Sequence, residues 1–343
     1  MTARARIAEP VAAATRRRPR IGFLGVGWIG LDRMRGIVDA GQADVVALCD
    51  PSREMRERAG ALAPDAVCAD GLDAVLDQAP DGIVVATPSA LHAEQAIAAL
   101  ERGVAVFCQK PLGRTAAEAG RVVAAARRAD RLLGVDLSYR RTEGLARLRE
   151  AVLGGALGEV FAADLVFHNA YGPDKPWYFD KALSGGGCVI DLGVHLADLA
   201  LWLFPGRRVE AVESRLYRAG RLLAPATDTV EDAAFATLTL EGGATVRLAC
   251  SWHLHAGRGA VIGAELCGTE GGAAFRNVDG SFYDFTAALH RGTETEVLCA
   301  PPDAWGPRAA CDWAARLAAG ERFDPAAEDF VAGARLVDRI YGR

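Results

Sequence analysis

The sequence predicts two units: an α/β Rossmann domain with a doubly wound parallel sheet, and an α+β domain with an open-faced, mainly antiparallel β-sheet. From residue 20 to about 140, short β-branched runs alternate with helical stretches rich in Ala, Arg and Glu, which is the pattern of βαβ units. A glycine-rich turn follows the first of these runs. Beyond residue 140, longer runs alternate partly between apolar and polar residues, as antiparallel strands with one solvated face do.

The predicted strands of the first unit are short and apolar without alternation, as expected when helices cover both faces of a sheet. They read RIGFLGV, DVVALCD, DGIVVATP, VAVFCQKP and RLLGVDLS. In the second unit the predicted strands read EVFAADLVFH, RVEAVESRLYR, AAFATLTLEGGATVRLACSWH and AVIGAELCGTEGGAAFRN. The EGG at residues 241–243 is predicted to form a hairpin turn.

Three segments follow from this division of the chain. Residues 1–19 are expected to be a disordered basic arm, residues 20–140 the first domain, and residues 141–343 a domain for substrate binding and oligomerisation. The last twenty residues have helical spacing, and this helix could pack back on the first domain. The RRR of residues 16–18 faintly resembles a twin-arginine export signal, but no small-residue cleavage site follows it, so we expect a cytoplasmic protein.

Composition restricts the partners. The net charge of −5 provides no basic field for nucleic acid. Residues 151–343 carry 25 acidic and 17 basic residues, which would suit a neutral or cationic ligand, but a solvated acidic surface is the favoured explanation of the excess. The eight cysteines are scattered without a C-x-x-C pair, so we expect reduced thiols and no metal site.

The most apolar run, residues 188–204, is shorter than the about 20 residues of a membrane span.

The turn after the first strand carries a G-x-G-x-x-G motif. Gly25, Gly27 and Gly30 form it, with Trp28 and Ile29 between the last two. The motif follows a strand and opens a helix, which is the context that dinucleotide binding requires. Close approach of the backbone and the free N–H groups of the helix are suited to a pyrophosphate.

The next strand ends in an acidic residue that bears on cofactor choice. Asp50 stands 20 residues beyond Gly30 and is followed by Pro51. A carboxylate there would accept hydrogen bonds from the adenosine ribose hydroxyls and repel a 2′-phosphate, so NAD is favoured over NADP. Arg53 nearby could soften that preference.

Two further strand ends are predicted to border the ligand cleft, because ligands of doubly wound sheets bind beyond the carboxyl ends of the strands. The segment ATPSALH includes Thr87, Pro88 and His92, and the segment FCQKPLG includes Gln109 and Lys110. An ammonium group held at this edge could bind a substrate hydroxyl and stabilise charge developing on its oxygen.

The run CVIDLGVHLADLALWLF is predicted to be a buried helix with one polar stripe. Asp191, His195, Asp198 and Trp202 fall at i, i+4, i+7 and i+11, so a regular helix places them on one face. Histidine is suited to general base catalysis near neutral pH. Asp191 could orient a substrate hydroxyl or the imidazole, and Asp198 could support the site or bridge the two domains.

Together these motifs resemble those of the Gfo/Idh/MocA family of NAD(P)-dependent oxidoreductases, from about residue 20 to the end of the chain. The resemblance implies oxidation or reduction of a hydroxyl on sugars, cyclitols and related compounds. It also implies catalytic roles for Lys110, Asp191 and His195, a ribose-binding role for Asp50, and an open sheet that is often buried in oligomers. One departure is Gln109, where the family usually has glutamate before the lysine and proline.

These expectations define one function and its alternatives. We expect an NAD-dependent dehydrogenase or ketoreductase for a secondary hydroxyl of a free sugar or cyclitol, a sugar nucleotide, or a glycosylated metabolite such as an aminoglycoside. A catalytically silent dinucleotide-binding regulator is the alternative class. We expect a homodimer or homotetramer formed through the second sheet. The substrate-specificity candidates are Tyr139, Arg140, Asn169, Lys175 and Trp177.

Overall fold

A computed structural model describes residues 17–224 and 227–343. Its first sheet has six parallel strands in the order β3-β2-β1-β4-β5-β6, which is the doubly wound arrangement with a topological switch point between β1 and β4. The strands are β1 (Arg20–Leu24), β2 (Asp44–Cys49), β3 (Val67–Cys68), β4 (Gly82–Val85), β5 (Ala105–Cys108) and β6 (Leu133–Val135).

Helices cover both faces of this sheet, which explains why its strands show no polar alternation. One apolar cluster includes Val85 and Val122, and the cluster on the opposite face includes Phe23 and Met34. The helices between the strands are α1 (Trp28–Asp39), α2 (Arg53–Leu62), α3 (Leu72–Leu76), α4 (Ser89–Glu101) and α5 (Ala116–Ala129).

The second sheet has nine strands in the order β15-β14-β13-β12-β7-β11-β10-β8-β9. All neighbouring strands are antiparallel except β7 and β11, which pair in parallel. The predicted fold class is therefore confirmed. The strands are β7 (Val160–Asn169), β8 (Val209–Arg218), β9 (Arg221–Leu222), β10 (Ala233–Leu240), β11 (Thr245–Ser251), β12 (Ala260–Gly268), β13 (Gly272–Asn277), β14 (Phe285–Arg291) and β15 (Glu294–Cys299).

One face of the second sheet packs on helices and forms the largest apolar cluster, whereas the other face stays open. The covering helices are α6 (Glu143–Leu153), α8 (Val194–Leu203) and, at the end of the chain, α10 (Glu328–Tyr341). The short helix α7 (Lys181–Ser184) contacts α4 of the first unit instead. A π-helical turn, Val189–Gly193, leads directly into α8. The predicted single regular helix is thus interrupted at the turn that carries its first acidic residue, Asp191.

The last two helices connect the two units. Helix α9 (Arg308–Ala318) lies on the first sheet, where Trp313 packs against Phe107 with ring centroids 5.7 Å apart. Helix α10 packs against both α5 and α8, and Asp338 accepts a hydrogen bond from the backbone of Ala116 at 2.9 Å. Although α9 lies beyond residue 140, it thus completes the first unit. The division of the chain at residue 140 stays a prediction.

The structure confirms one predicted turn and contains strands that the sequence did not indicate. The hairpin at residues 241–243 joins β10 and β11 as predicted. Strand β3 and the β14–β15 hairpin were not predicted from the sequence. The expected basic arm lies mostly outside the described residues. The segment Lys181–Leu203 is long and apolar enough to cross a membrane, but 83% of its most apolar part is buried inside the protein, as in a core helix.

Candidate active site

The carboxyl edge of the first sheet faces the start of α8, and a lysine and an aspartate meet there. Lys110 follows β5, and its peptide bond to Pro111 is cis. Its Nζ donates to Asp191 Oδ1 at 2.8 Å and to the Asp191 carbonyl oxygen at 2.7 Å. Both side chains are mostly buried, so this ion pair joins the two units inside the cleft rather than on the surface.

The second oxygen of the same carboxylate is held by a residue that the sequence did not single out. Trp252 follows β11, and its indole Nε1 donates to Asp191 Oδ2 at 3.0 Å. Trp252 is buried. The carboxylate of Asp191 is therefore held on one side by an ammonium and on the other by an indole N–H. No local signal marks Trp252 in the sequence, because its contact depends on the pairing of β11 with β7.

A buried glutamate organises the turn that carries Asp191. Glu231 Oε1 accepts hydrogen bonds from the backbone N–H groups of Gly187 and Val189 at 2.9 and 3.0 Å, and from the Tyr341 hydroxyl at 2.7 Å. A side chain at Gly187 is excluded, since a Cβ there would lie 1.9 Å from the Glu231 carbonyl oxygen. Burial raises the pKa of Glu231, and these three donors oppose that rise.

His195 lies one turn further along the helix, in an aromatic pocket. Its ring centroid is 4.9 Å from that of Tyr139 and 6.2 Å from that of Phe167. Its Nδ1 is buried without a hydrogen-bond partner among the described residues. Burial lowers the pKa of His195 well below 6.5, and the charges of Lys110 and Arg33 lower it further. The imidazole is therefore neutral near pH 7 and able to accept a proton.

Asp198 bridges the two units rather than facing a ligand. Its carboxylate binds the Arg140 guanidinium on both oxygens, with Arg140 Nε 2.7 Å from Oδ2. Burial raises the pKa of Asp198, and Arg140 opposes that rise. Arg140 also lies over the Trp202 ring at 5.8 Å. His195, Asp198 and Trp202 thus face the Ser138–Arg141 turn, whereas the π-turn directs Asp191 towards Lys110.

The glycine turn has the shape that a dinucleotide phosphate needs. Gly25 has φ +87°, and a Cβ on it would lie 2.4 Å from the Ala86 carbonyl oxygen. At Gly27 a Cβ would meet nothing within 4 Å, so this backbone is open on the ligand side. Helix α1 begins at Trp28 and has no acidic residue in its first turn. Its free N–H groups are therefore available to an anion.

Asp50 is positioned by the backbone around it. Its Oδ2 accepts from Val26 N at 2.8 Å, and its Oδ1 accepts from Ser52 N at 2.8 Å. A carboxylate oxygen accepts more than one hydrogen bond, so capacity remains for ribose hydroxyls. Arg53 is turned to Glu57, at 2.7 Å. It thus engages the next turn of its own helix rather than the carboxylate of Asp50.

The other predicted cofactor residues form one connected edge. His92 is buried, with Nε2 2.6 Å from the Thr87 carbonyl oxygen and Nδ1 2.7 Å from that of Pro111. Burial lowers the pKa of His92, although both carbonyls favour its protonated form. His92 therefore ties the Thr87–Pro88 turn to the turn after β5. Both of its nitrogens are engaged, so as placed it supports these turns rather than offering a free nitrogen to a ligand.

The structure places the predicted specificity residues in different surroundings. Tyr139 packs on His195, and Asn169 ends β7 with a buried Oδ1 that has no partner among the described residues. Trp177 stacks on Tyr178 with centroids 3.8 Å apart. Arg140 is occupied by Asp198, because a buried guanidinium needs a counter-charge. Lys175 is exposed beside Asp174, 3.2 Å away, and touches none of the catalytic candidates.

A Rossmann sheet whose glycine turn opens on a cleft with a lysine, an aspartate and a histidine defines an oxidoreductase that uses a dinucleotide. A family model described as "Oxidoreductase family, NAD-binding Rossmann fold" matches residues 19–137. A second, described as "GFO/IDH/MocA C-terminal domain", matches residues 145–274. The chain belongs to the Gfo/Idh/MocA family and is an NAD(P)-dependent oxidoreductase that acts on CH–OH groups.

Individual relatives agree with this class. The chain is 28% identical over 267 residues to D-glucoside 3-dehydrogenase of Escherichia coli (strain K12), covering 74% of this chain and 76% of that protein. It is 30% identical to 1,5-anhydro-D-fructose reductase of Ensifer adhaerens over 265 residues, 76% of each chain. The structure of GenD2 from gentamicin A biosynthesis, in complex with NAD, covers 98% of both chains with a TM-score of 0.79 at 22% identity, which shows a shared fold.

Removing the indole donor tests how Asp191 is positioned. Trp252→Phe keeps an aromatic ring at this position but removes the hydrogen bond to Asp191 Oδ2. We expect kcat/KM to fall about 10-fold, because a hydrogen bond to a charged group contributes on the order of 1.5–3 kcal/mol. Steady-state kinetics measures the change. Trp313→Phe is the matched control, since its buried Nε1 has no partner among the described residues; equal kinetics for both variants would contradict the role of Trp252.

The lowered pKa of His195 predicts a pH profile. The base form is the neutral imidazole, and a pKa below 6.5 keeps that form populated down to more acidic pH. We therefore expect the acid limb of log(kcat/KM) for alcohol oxidation to lie below pH 6.5. Melting temperatures at each pH exclude unfolding as the cause. An acid limb above pH 6.5 that disappears in His195→Gln would contradict the lowered pKa of His195.

Proposed function

We propose that the protein transfers hydride between NAD and a secondary hydroxyl of a pyranose-like sugar or cyclitol. The observation that carries this proposal is the mostly buried pair of Lys110 and Asp191, in which Asp191 lies one helical turn before the buried His195. A lysine ammonium has three N–H groups, and Asp191 takes two of them. The third N–H is left for an oxygen of the substrate.

The side chains then divide the proton chemistry. His195 Nδ1 is fully buried, so Nε2 is the nitrogen left to take the hydroxyl proton. Lys110 donates to the same oxygen and stabilises the charge that develops on it. Asp191 holds the ammonium in place and Trp252 holds Asp191, so neither is assigned a contact with the reacting carbon. When bound, the dinucleotide supplies a hydride acceptor, or in reverse a hydride donor, at its nicotinamide ring.

NAD is the proposed cofactor in preference to NADP. Asp50 ends β2 at the position where a ribose-binding acid is needed, and a carboxylate there repels a 2′-phosphate. Arg53 is exposed and paired with Glu57 rather than with Asp50. Both nucleotides can be compared directly in binding titrations of the purified protein.

A sugar or sugar-like ring fits the residues around the cleft. The half-buried Trp177 and Tyr178 stack on each other beside the buried Trp252, with the Tyr178 and Trp252 centroids 6.4 Å apart. Aromatic faces pack on the apolar faces of sugar rings, while the Asn169 Oδ1, without a partner among the described residues, can accept a ring hydroxyl. A sugar nucleotide or an aminoglycoside of secondary metabolism is a finer assignment of the same site. A cytoplasmic location stays a prediction.

A dinucleotide-binding regulator without turnover was the alternative class, and the residues of the site argue against it. Such a protein has no need for an ammonium, a carboxylate and an imidazole in one cleft. Here Lys110, Asp191 and His195 are all present, and two of them are joined at 2.8 Å. This arrangement favours an enzyme.

Two variants test the assigned roles. We expect Lys110→Ala and His195→Ala each to lower kcat at least about 100-fold, because positioned acid–base groups contribute roughly 10²–10⁴. NADH binding to His195→Ala, followed by tryptophan fluorescence, is expected to stay near that of the wild type. His290→Ala, on strand β14 away from the cleft, is the matched control. Near-wild-type turnover in both catalytic variants would contradict the assignment.

The substrate class is tested by following NADH absorbance over free sugars and cyclitols, glycosides, sugar nucleotides and aminoglycosides. Turnover of a ring hydroxyl in one of these classes supports the proposal, and the class with the highest kcat/KM identifies the substrate. Turnover only with an open-chain, non-carbohydrate ketone would contradict it.

We also propose that the open face of the second sheet binds a second copy of the chain. The face holds a shallow groove of about 930 Å³. Apolar Val166 and Phe235 lie on it beside ion pairs between neighbouring strands, Arg247 with Asp164 and Arg276 with Glu265. Because both signs of charge stand side by side, two copies related by a two-fold axis can pair them reciprocally.

Light scattering after gel filtration tests this interface. We expect the wild type to be a dimer or tetramer and Val166→Asp to shift it towards the monomer, because the new charge would be buried without a partner. Leu153→Asp, exposed at the end of α6, is the matched control and should leave the mass unchanged. A monomeric wild type at micromolar concentration would contradict the proposal.

A further inference from the structure

A buried carboxylate outside the predicted catalytic set joins three elements at the carboxyl edge of the first sheet. Asp136 follows β6, and its Oδ2 accepts from Gln109 Nε2 at 2.5 Å and from Arg33 Nε at 2.7 Å. Asp136 is 1% exposed and Arg33 6%. Side chains from helix α1 and from the end of β5 therefore both bind one oxygen atom of the residue that follows β6.

This contact requires an amide at position 109. An ionised carboxylate accepts hydrogen bonds and cannot donate, so the NH₂ of Gln109 must face Asp136 and the side-chain oxygen must face away. A glutamate at this position would place two carboxylates against each other in a buried site, where like charges repel strongly. The contact with Asp136 thus favours an amide over a carboxylate at position 109.

Arg33 supplies the charge that allows Asp136 to be buried. Its guanidinium also reaches Asp32 Oδ2 at 2.5 Å, so it spans two carboxylates. A buried carboxylate without such a partner would be strongly destabilising. The charge of Arg33 also acts on His195, where it adds to burial and to Lys110 in lowering the pKa. The cluster is therefore close enough to affect the reacting groups.

The backbone of the same two residues is fixed as well. Gln109 N donates to the Val85 carbonyl at 2.8 Å, and Asp136 N donates to the Cys108 carbonyl at 2.9 Å. These bonds extend the pairing of β4, β5 and β6 by one residue beyond each strand end. The residue that follows Gln109 is Lys110, so the backbone of the lysine lies one peptide unit from the cluster.

We propose that Asp136 is a positioning residue for the reaction: held by Arg33, it orients Gln109 and so fixes the turn that places Lys110. This inference deepens the proposed function, because it rests on the role assigned there to Lys110. Gln109 was expected to contact the cofactor. In this arrangement its amide nitrogen is engaged by Asp136, while a contact of its side-chain oxygen with the cofactor stays a prediction.

A charge-conserving swap tests the proposal. The variants are Gln109→Glu, Asp136→Asn and the double variant that carries both changes. In the double variant one carboxylate and one amide again lie beside Arg33, so the net charge of the cluster is that of the wild type, whereas Gln109→Glu alone places two carboxylates there. We expect Gln109→Glu to lower kcat about 10-fold and the double variant to recover to within about 3-fold of the wild type, as directly coupled pairs do.

The pH dependence separates this role from general damage. In Gln109→Glu the two carboxylates share a proton at low pH, which restores a donor between them and removes the repulsion. Its loss of kcat should therefore shrink from pH 8 to pH 6, whereas the double variant should follow the wild type at every pH. Substrate KM is expected to change less than kcat. Gln78→Glu, before β4 at the opposite edge of the sheet, is the matched control and should behave as the wild type.

The dissociation constant for NADH, followed by tryptophan fluorescence, gives a readout independent of turnover. If the wild type turns over no sugar, the proposed function fails, while recovery of NADH binding in the double variant still supports the coupling. Should Gln109→Glu not fold, a double variant more active than Asp136→Asn supports the proposal. Wild-type kinetics for Gln109→Glu at all pH values, or a double variant no better than the single ones, would overturn it.

Discussion

The ion pair between Lys110 and Asp191 is the interaction on which the rest of the site depends. It joins a strand end of the Rossmann sheet to the first turn of the buried helix of the second unit, 2.8 Å apart in a mostly buried cleft. A charge in that environment needs a partner, and each partner here comes from a different unit. Trp252, Glu231 and the cluster around Asp136 all hold one side of this pair in place.

This dependence explains why the buried helix begins irregularly. A regular helix would align Asp191 with the face that meets the Ser138–Arg141 turn. The π-turn at Val189–Gly193 instead directs its carboxylate to Lys110, while Asp198 stays with Arg140. π-Turns within helices are frequent at functional sites. Glu231 and Tyr341 stabilise this turn, so the last helix of the chain supports the site although it contributes no reacting group.

The sequence predicted the parts that depend on local pattern. The strand runs indicate the fold class, the glycine motif indicates the cofactor edge, and the spacing of Asp191 and His195 indicates catalytic candidates. Each of these patterns lies in residues that are close together in the sequence. It could not predict Trp252, Asp136 or Arg33 as members of the site. Their contacts are made by strand pairing and by a helix crossing the sheet. In the sequence, a tryptophan after a strand looks the same whether it only fills a core or supports a site. The short strand β3 and the β14–β15 hairpin were missed because their runs are short or polar.

The central claim is that Lys110, held by Asp191, and His195 act on one oxygen of a sugar-like ring. The most direct measurement is a crystal structure with NAD and the substrate identified by the absorbance screen. One ring oxygen is predicted to lie within hydrogen-bond distance of both Lys110 Nζ and His195 Nε2, with Asp191 still bound to Lys110. A substrate seated in the cleft with no oxygen at either side chain would contradict the account.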